Sequence, residues 1–191
     1  LSLCLLAACS LPAAPTPAPS EPPPDPQVLL MQRAVQVLQA LQANDLTALA
    51  ALAHPSRGVR FSPYPFVQAS DRVYLPADLP AAAADPALYL WGSYDGSGEP
   101  INLSFSQYYA KFVWDQDYLA APQSGINTEI GKGNSINNIA DFYPGASYVE
   151  FHFPGFNPDF GGMDWASLRL VFVEEGGQWL LVGIIHAAWT I

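Results

Sequence analysis

The sequence predicts an α+β fold, with helices first and a strand-rich sheet last. Three observations carry that reading. Gln27 to Ala43 places apolar residues at helical spacing, Tyr148 to Phe153 alternates apolar and polar, and Asp164 to Ile191 reads as two long β-rich runs joined at Gly176-Gly177. Half of the 191 residues are hydrophobic and 24 are aromatic, enough for one core of ordinary domain size.

Charge narrows the partners. Seventeen acids against seven bases give a net charge of −10, and charged residues make up only 13% of the chain. Nucleic acid and an anionic membrane face both require a basic patch, so neither is expected as a partner. Both cysteines, Cys4 and Cys9, fall in the first nine residues. The rest of the chain therefore offers no disulfide framework and no thiolate metal site. Its three histidines lack metal-ligand spacing, so no metal and no cofactor is expected.

The N-terminal LSLCLLAACS is an apolar run too short to span a bilayer, and it fits the apolar core of a signal peptide. Leu6-Ala7-Ala8-Cys9 resembles the bacterial lipobox, whose cysteine becomes lipid-modified; an ordinary cleaved signal with an incidental cysteine is the competing reading. Ser10 to Pro26 carries eight prolines. At about 3.1 Å per residue it forms an extended spacer on the order of 50 Å long. The division is thus residues 1–9 as a signal-peptide remnant with the lipobox cysteine, 10–26 as linker and 27–191 as one domain.

Within the domain, Asp25-Pro26 reads as an N-cap followed by proline in the first turn, opening a helix with Met31, Ala34, Val35, Leu38 and Leu41 on one stripe. Asp45 caps a second short helix that stops before His54-Pro55, and His54 reads as a partner of that helix's C-terminal dipole. Strands are predicted at Val59 to Ser62, Val73 to Leu75 and Leu88 to Tyr94, with a connector from Pro76 to Pro86 and a turn from Tyr94 to Pro100. Ser104 and Gln107 form a capping-box pattern for an aromatic helix from Phe105 to about Asp117. Asp115 and Asp117 at its end do not share a helix face and read as solvated. Gly125 to Gly133 has the wrong spacing for a phosphate loop. Asn134 or Ser135 is expected to cap a single turn containing Ile136 and Ile139.

Two resemblances follow from these residues. LQALQANDLTALAALAHP is similar to the opening helices of the nuclear-transport-factor-2-like superfamily, which includes SnoaL-type cyclases and ketosteroid isomerases. The resemblance implies a cone-shaped, cystatin-like domain: N-terminal helices on a strongly curved mixed or antiparallel sheet, with a pocket on the concave side. The segments from SPY through WGSYDGSGEPI, DFYPGASYVEFHFPGF and GMDWASLRLVF to LVGIIHAAWTI look like an uncharacterised family of bacterial cell-envelope lipoproteins. That implies location and fold but no activity. Where that family places an acid directly after the C-terminal histidine, this chain has His186-Ala187-Ala188, which removes a carboxylate beside His186.

A two-residue turn at Gly176-Gly177 would set Ser167 opposite His186 and put Leu168, Leu170 and Phe172 on a core face. The other face would then carry Trp165, Arg169 and His186, joined by Tyr148, Glu150 and His152 from the preceding strand. A register slip of one residue inverts that assignment. Trp165, Arg169 and His186 are the ligand-binding candidates. His186, His152, Arg169, Tyr148 and Glu150 are the candidates for any catalysis, against the plainer reading of a satisfied polar cluster. Three functions are open at this point. One is a lipid-anchored extracytoplasmic domain binding a small ligand or envelope partner. A second is an isomerase- or cyclase-type enzyme with His186 or His152 as base and Tyr148 or Arg169 stabilising an oxyanion. The third is a structural module that homodimerises through its open sheet face. Lipid attachment at Cys9 is directly checkable: mass spectrometry of the membrane fraction is expected to find an N-terminal, acylated Cys9, and an unmodified Cys9 there would exclude it.

Overall fold

The computed structural model describes residues 24–190; Cys9, the proline-rich segment up to residue 23 and Ile191 lie outside the described residues. α1 (Pro26–Gln42) starts where Asp25 accepts a hydrogen bond from the Gln27 amide at 2.8 Å, with Pro26 in the first turn. It closes as a Schellman motif: Asn44 takes a left-handed φ of 49°, and the Asn44 and Asp45 amides return to the carbonyls of Leu41 and Ala40. Asp45 then caps α2 (Leu46–Leu52) by accepting from the Ala48 amide at 2.9 Å. One Asn-Asp pair stops the first helix and starts the second.

The elements that follow are β1 (Val59–Ser62), β2 (Arg72–Tyr74), α3 (Leu79–Ala82), β3 (Tyr89–Ser93), β4 (Pro100–Leu103), α4 (Phe105–Phe112), β5 (Gln123–Ile126), α5 (Ile139–Phe142), β6 (Ser147–Phe153), β7 (Ala166–Glu175) and β8 (Gln178–Ala188). Six strands form one sheet in the order β2-β1-β8-β7-β6-β5, and β3 with β4 makes a separate hairpin. β1 runs parallel to β8, while the other pairings are antiparallel. The fold is α+β, with N-terminal helices on a curved mixed sheet. No helix among the described residues is long and apolar enough to cross a membrane.

One sheet face, through Val149, Phe151, Leu168, Leu170, Phe172, Leu181 and Ile184, packs against α1, α2 and α4. The opposite face, through Val171, Val173, Val182 and Ile185, is covered by Ile139 and Tyr143 at α5. The buried stripe of α1 is Leu30, Ala34, Val37, Leu38, Ala40 and Leu41. Met31 and Val35, expected on it, sit half-buried at its margin, because the helix also turns toward α2.

Several boundaries shift for local reasons. The Ser104–Gln107 capping box starts α4 as expected, but the helix ends at Phe112 and a short 3-10 turn, Tyr118–Ala120, follows. Leaving the helix there turns Asp115 back toward the interior. The alanine-rich connector hides α3, and β5 lacks any alternation that would have revealed it. α5 begins only at Ile139, because Asn138 is drawn away to bond both backbone groups of Val67 at 2.8 and 3.0 Å. Ile136, expected in that turn, precedes it and is 70% exposed.

The register of the final hairpin corrects the expected faces. Glu175 does pair with Gln178, but a β-bulge between Val171 and Phe172 gives β8 one extra residue, so His186 pairs with Leu168 and Ser167 with Ala187. His186 therefore shares the helix-side face with Leu168, and Arg169 and Ser167 lie on the other. Phe61 of β1 anchors the helix-side core, meeting Tyr74, Phe105 and Tyr108 edge-on with centroids 5.8, 5.6 and 6.3 Å away. Replacing Phe61 by Ala is expected to cost about 3–5 kcal/mol, read as a lowered midpoint in urea denaturation.

Candidate functional site

β6 and β7 place Glu150 directly opposite Arg169, and both side chains are fully buried. A charge taken out of water is tolerable only if it is paired and fully hydrogen-bonded. Arg169 Nε donates to Glu150 Oε2 at 3.0 Å, and its Nη2 donates to the Gly131 carbonyl at 2.7 Å and to Glu129 at 3.3 Å. The Glu150 carboxylate also accepts from the amides of Ile130 and Gly131, at 3.1 and 2.8 Å, and from the Ser167 hydroxyl at 2.7 Å. The loop at residues 129–131 thus closes over an internal ion pair. Gly131 is required there, since a Cβ would lie 2.6 Å from both Ser167 Oγ and the Trp165 ring.

His152 extends this network through Nδ1, 2.8 Å from Ser167 Oγ. The single serine proton points to Glu150, so Nδ1 must carry the histidine's own proton and donate to Ser167. The order is His–Ser–Glu, with the hydroxyl in the middle. A nucleophilic serine would instead give its proton to histidine, so Ser167 is held as a linker rather than activated. Burial lowers the His152 pKa, and Arg169 lowers it further against the opposing pull of Glu150. Trp165 is buried beside His152, with ring centroids 5.8 Å apart. Tyr148 is half-buried at the edge of this region, and burial raises its hydroxyl pKa.

His186, expected among these residues, lies on the opposite face. Its Nε2 is 3.2 Å from Asp115 Oδ2 and its Nδ1 is 3.3 Å from the Pro63 carbonyl. The carboxylate that the local sequence lacks is supplied by Asp115, 71 residues away. The expected solvated role of Asp115 is therefore corrected. Burial alone would raise the Asp115 pKa, but the His186 hydrogen bond and charge and the Tyr118 hydroxyl at 2.8 Å outweigh it and lower it. His54 also departs from expectation. Its Nδ1 accepts from the Ser56 and Arg57 amides, leaving Nε2–H to donate to Glu175 at 3.0 Å, so it pins a turn to the β7 end rather than facing a helix dipole. Among the described residues no group of three or more His, Cys, Asp or Glu could hold a metal ion.

The pocket expected over His186 is filled by core. A surface cavity of about 660 Å³ is an open groove between Tyr64–Gln68, the β3–β4 turn and residues 134–136. Tyr64, Phe66, Tyr94 and Ile136 give it an aromatic and aliphatic wall, and Asp95 and Ser135 give it a polar one. The walls are fastened to each other: Tyr64 Oη accepts from the Asp95 amide at 3.1 Å, and Ser135 donates to the Asp95 carboxylate at 3.1 Å. Sequence reading missed this groove, since its parts come from three separated loops with no shared motif.

No protein-family profile matches the chain, and no curated protein does. Thirteen solved chains match in structure. A five-substitution variant named Rd1NTF2_05 aligns with 85% of this chain and all of its own, at 10% identity and a TM-score of 0.33. A calcium/calmodulin-dependent protein kinase II association domain from Xanthomonas campestris aligns over 83% of this chain and 84% of its own, at 13% identity and a TM-score of 0.35. At these values neither provides a residue-level correspondence.

The buried cluster has two separable consequences. Glu150→Gln would leave Arg169 buried without its main counter-charge, and a loss of about 3–5 kcal/mol is expected in chemical denaturation. His152 is held neutral by burial, below its ordinary value of 6.5, so the unfolded chain takes up the proton first as pH falls. Stability from this residue is full above about 6.5 and is lost below it. The lowered Asp115 carboxyl acts in a different window, its contribution being lost only as pH drops below the ordinary 3.8. His152→Gln, which can still donate to Ser167, is therefore expected to shrink the stability difference between pH 7.5 and pH 5.5.

Proposed function

We propose that this chain is a lipid-anchored, extracytoplasmic domain of the nuclear-transport-factor-2-like kind. Its role is non-enzymatic binding of a small apolar-aromatic ligand, or of an envelope partner presenting such a group. The groove over Tyr64, Phe66, Tyr94 and Ile136 is the observation that carries this reading. Its volume of about 660 Å³ falls within the range of about 300–1,000 Å³ usual for ligand sites. Phe66 is 50% exposed and Ile136 70% exposed on its rim, apolar surface that a soluble domain gains nothing by leaving in water. Asp95, Ser135 and backbone groups add the few polar contacts that orient a ligand. The lipobox-like Cys9 and the proline-rich spacer support the anchored location.

The binding reading is favoured over the isomerase reading by what the candidate bases are doing. His152 donates to Ser167 from inside the sheet, and both ring nitrogens of His186 face protein acceptors. A general base must reach its substrate within hydrogen-bond distance. Neither histidine lines the groove.

Ligand-observed NMR with indole and p-cresol tests the assignment. Saturable binding is expected to the wild type and to weaken at least tenfold in a Phe66→Ser/Ile136→Ser variant. Stability should change little, because each exposed site contributes within about 0.5 kcal/mol. Equal binding by both proteins, or none by either, would overturn the groove as the ligand site.

A further inference from the structure

A second cavity, about 270 Å³, lies on the face of the sheet covered by α5 and is lined by Arg57, Arg60, Val73, Phe142, Tyr143 and Val182. Two of the seven bases in a chain of net charge −10 converge on this one small space. Neither belongs to an ion pair among the described residues. Arg60 is fixed by Nη1, which donates to the carbonyls of Gln68, Ala69 and Asp71 at 3.2, 3.1 and 2.6 Å. It takes the main-chain oxygen of Asp71 and not the carboxylate, which is occupied by the Ser62 hydroxyl and the Gln68 amide. The rest of the Arg60 guanidinium lies beside the Tyr143 hydroxyl, close enough to lower its pKa, and pairs with no carboxylate among the described residues. Arg57 is held by its backbone, whose amide donates to His54 Nδ1 at 3.1 Å, while its guanidinium is likewise unpartnered among the described residues.

The third feature is Tyr143. Only 4% exposed, it packs its ring 5.9 Å from the Arg57 guanidinium carbon, and its hydroxyl has no hydrogen-bond partner. An orphaned buried hydroxyl costs stability unless something accepts from it. Burial pushes its pKa up to about 12 against the lowering pull of Arg60, so the group stays an O–H donor. Phe142 lies 5.1 Å from the Arg60 guanidinium carbon and gives the cavity an apolar side. The Arg57 and Arg60 guanidiniums and the Tyr143 O–H all offer donors to the space.

We propose that this cavity binds a small oxyanion, a phosphate or carboxylate group, gripped by the Arg57 and Arg60 guanidiniums with the Tyr143 hydroxyl as a further donor. Planar guanidiniums match the paired oxygens of such groups better than any other side chain. The volume lies just under the range of drug-sized sites, which suits an anion of a few heavy atoms. This site is separate from the aromatic groove and does not depend on it.

Calorimetric titration of inorganic phosphate, and separately of succinate, into the protein at low salt provides the test. Saturable binding of one or both is expected, and the stronger of the two identifies the oxyanion class. Arg57→Gln removes an exposed donor without touching the core and should weaken binding at least tenfold. Tyr143→Phe should weaken it severalfold while leaving the ligand-free melting temperature unchanged or raised, because the hydroxyl it deletes has no partner. The Phe66→Ser/Ile136→Ser variant should bind the anion as the wild type does, so the two sites stand or fall independently. No saturable binding of either anion, or the same response in wild type and Arg57→Gln, would overturn the proposal.

Discussion

Placing the Arg169 guanidinium wholly inside the protein imposes a demand that much of the surrounding structure meets. Desolvating one charge costs several kcal/mol after relaxation, and a counter-charge offsets that only in good geometry with the remaining donors satisfied. Glu150 faces Arg169 across the β6–β7 ladder, so the pair also fixes the register of those strands: a slip of one residue would put the two charges on opposite faces of the sheet. The 129–131 loop folds over the pair and contributes two amides and a carbonyl. Ser167 takes up the last lone pair of the carboxylate and in turn accepts from His152. Arg169 Nη1 and Trp165 Nε1 remain unpartnered, the residual cost of the arrangement.

The bulge in β8 decides how the remaining chemistry is distributed. By adding one residue opposite the Val171–Phe172 step, it sends His186 to the helix side, where Asp115 and the Pro63 carbonyl receive it. Two polar systems thus form back to back across the sheet, each closed on itself. Neither leaves a base facing an open space, and the open spaces lie at the periphery, among loops.

Those peripheral spaces differ in character because so few bases are available. Arg169 is consumed by the internal pair, Arg72 stacks on the Tyr89 ring at 3.8 Å, and Lys111 sits over Tyr94 at 5.0 Å. Arg33 and Lys132 line neither space, and Arg57 and Arg60 together make one region of local positive potential in an acidic protein. The aromatic groove holds no base at all. A neutral aromatic ligand and a small anion would therefore sort themselves between the two by charge alone.

Local signals were legible wherever a few adjacent residues settle the backbone. Asp25-Pro26, Asn44-Asp45 and the Ser104–Gln107 box fixed helix starts, and the alternation from Tyr148 to Phe153 put Glu150 and His152 on one face as found. That Arg169 shares this face with Glu150 could be read as well, though not that the two would pair. The placement of His186 could not, because one unpaired residue in β8 inverts every position after it and nothing in LLVGIIHAA marks where the ladder will slip. Asp115 meeting His186, Asn138 clasping Val67 and Arg57 converging with Tyr143 were equally hidden. Each joins residues dozens of positions apart, and such meetings are chosen by the packing of helices and loops on the sheet rather than by the dihedral preferences of neighbouring residues. The sequence by itself determined the helix starts, the long strands and the shared face of Glu150, His152 and Arg169; tertiary structure alone decided which distant residues meet and where the chain leaves room for a ligand.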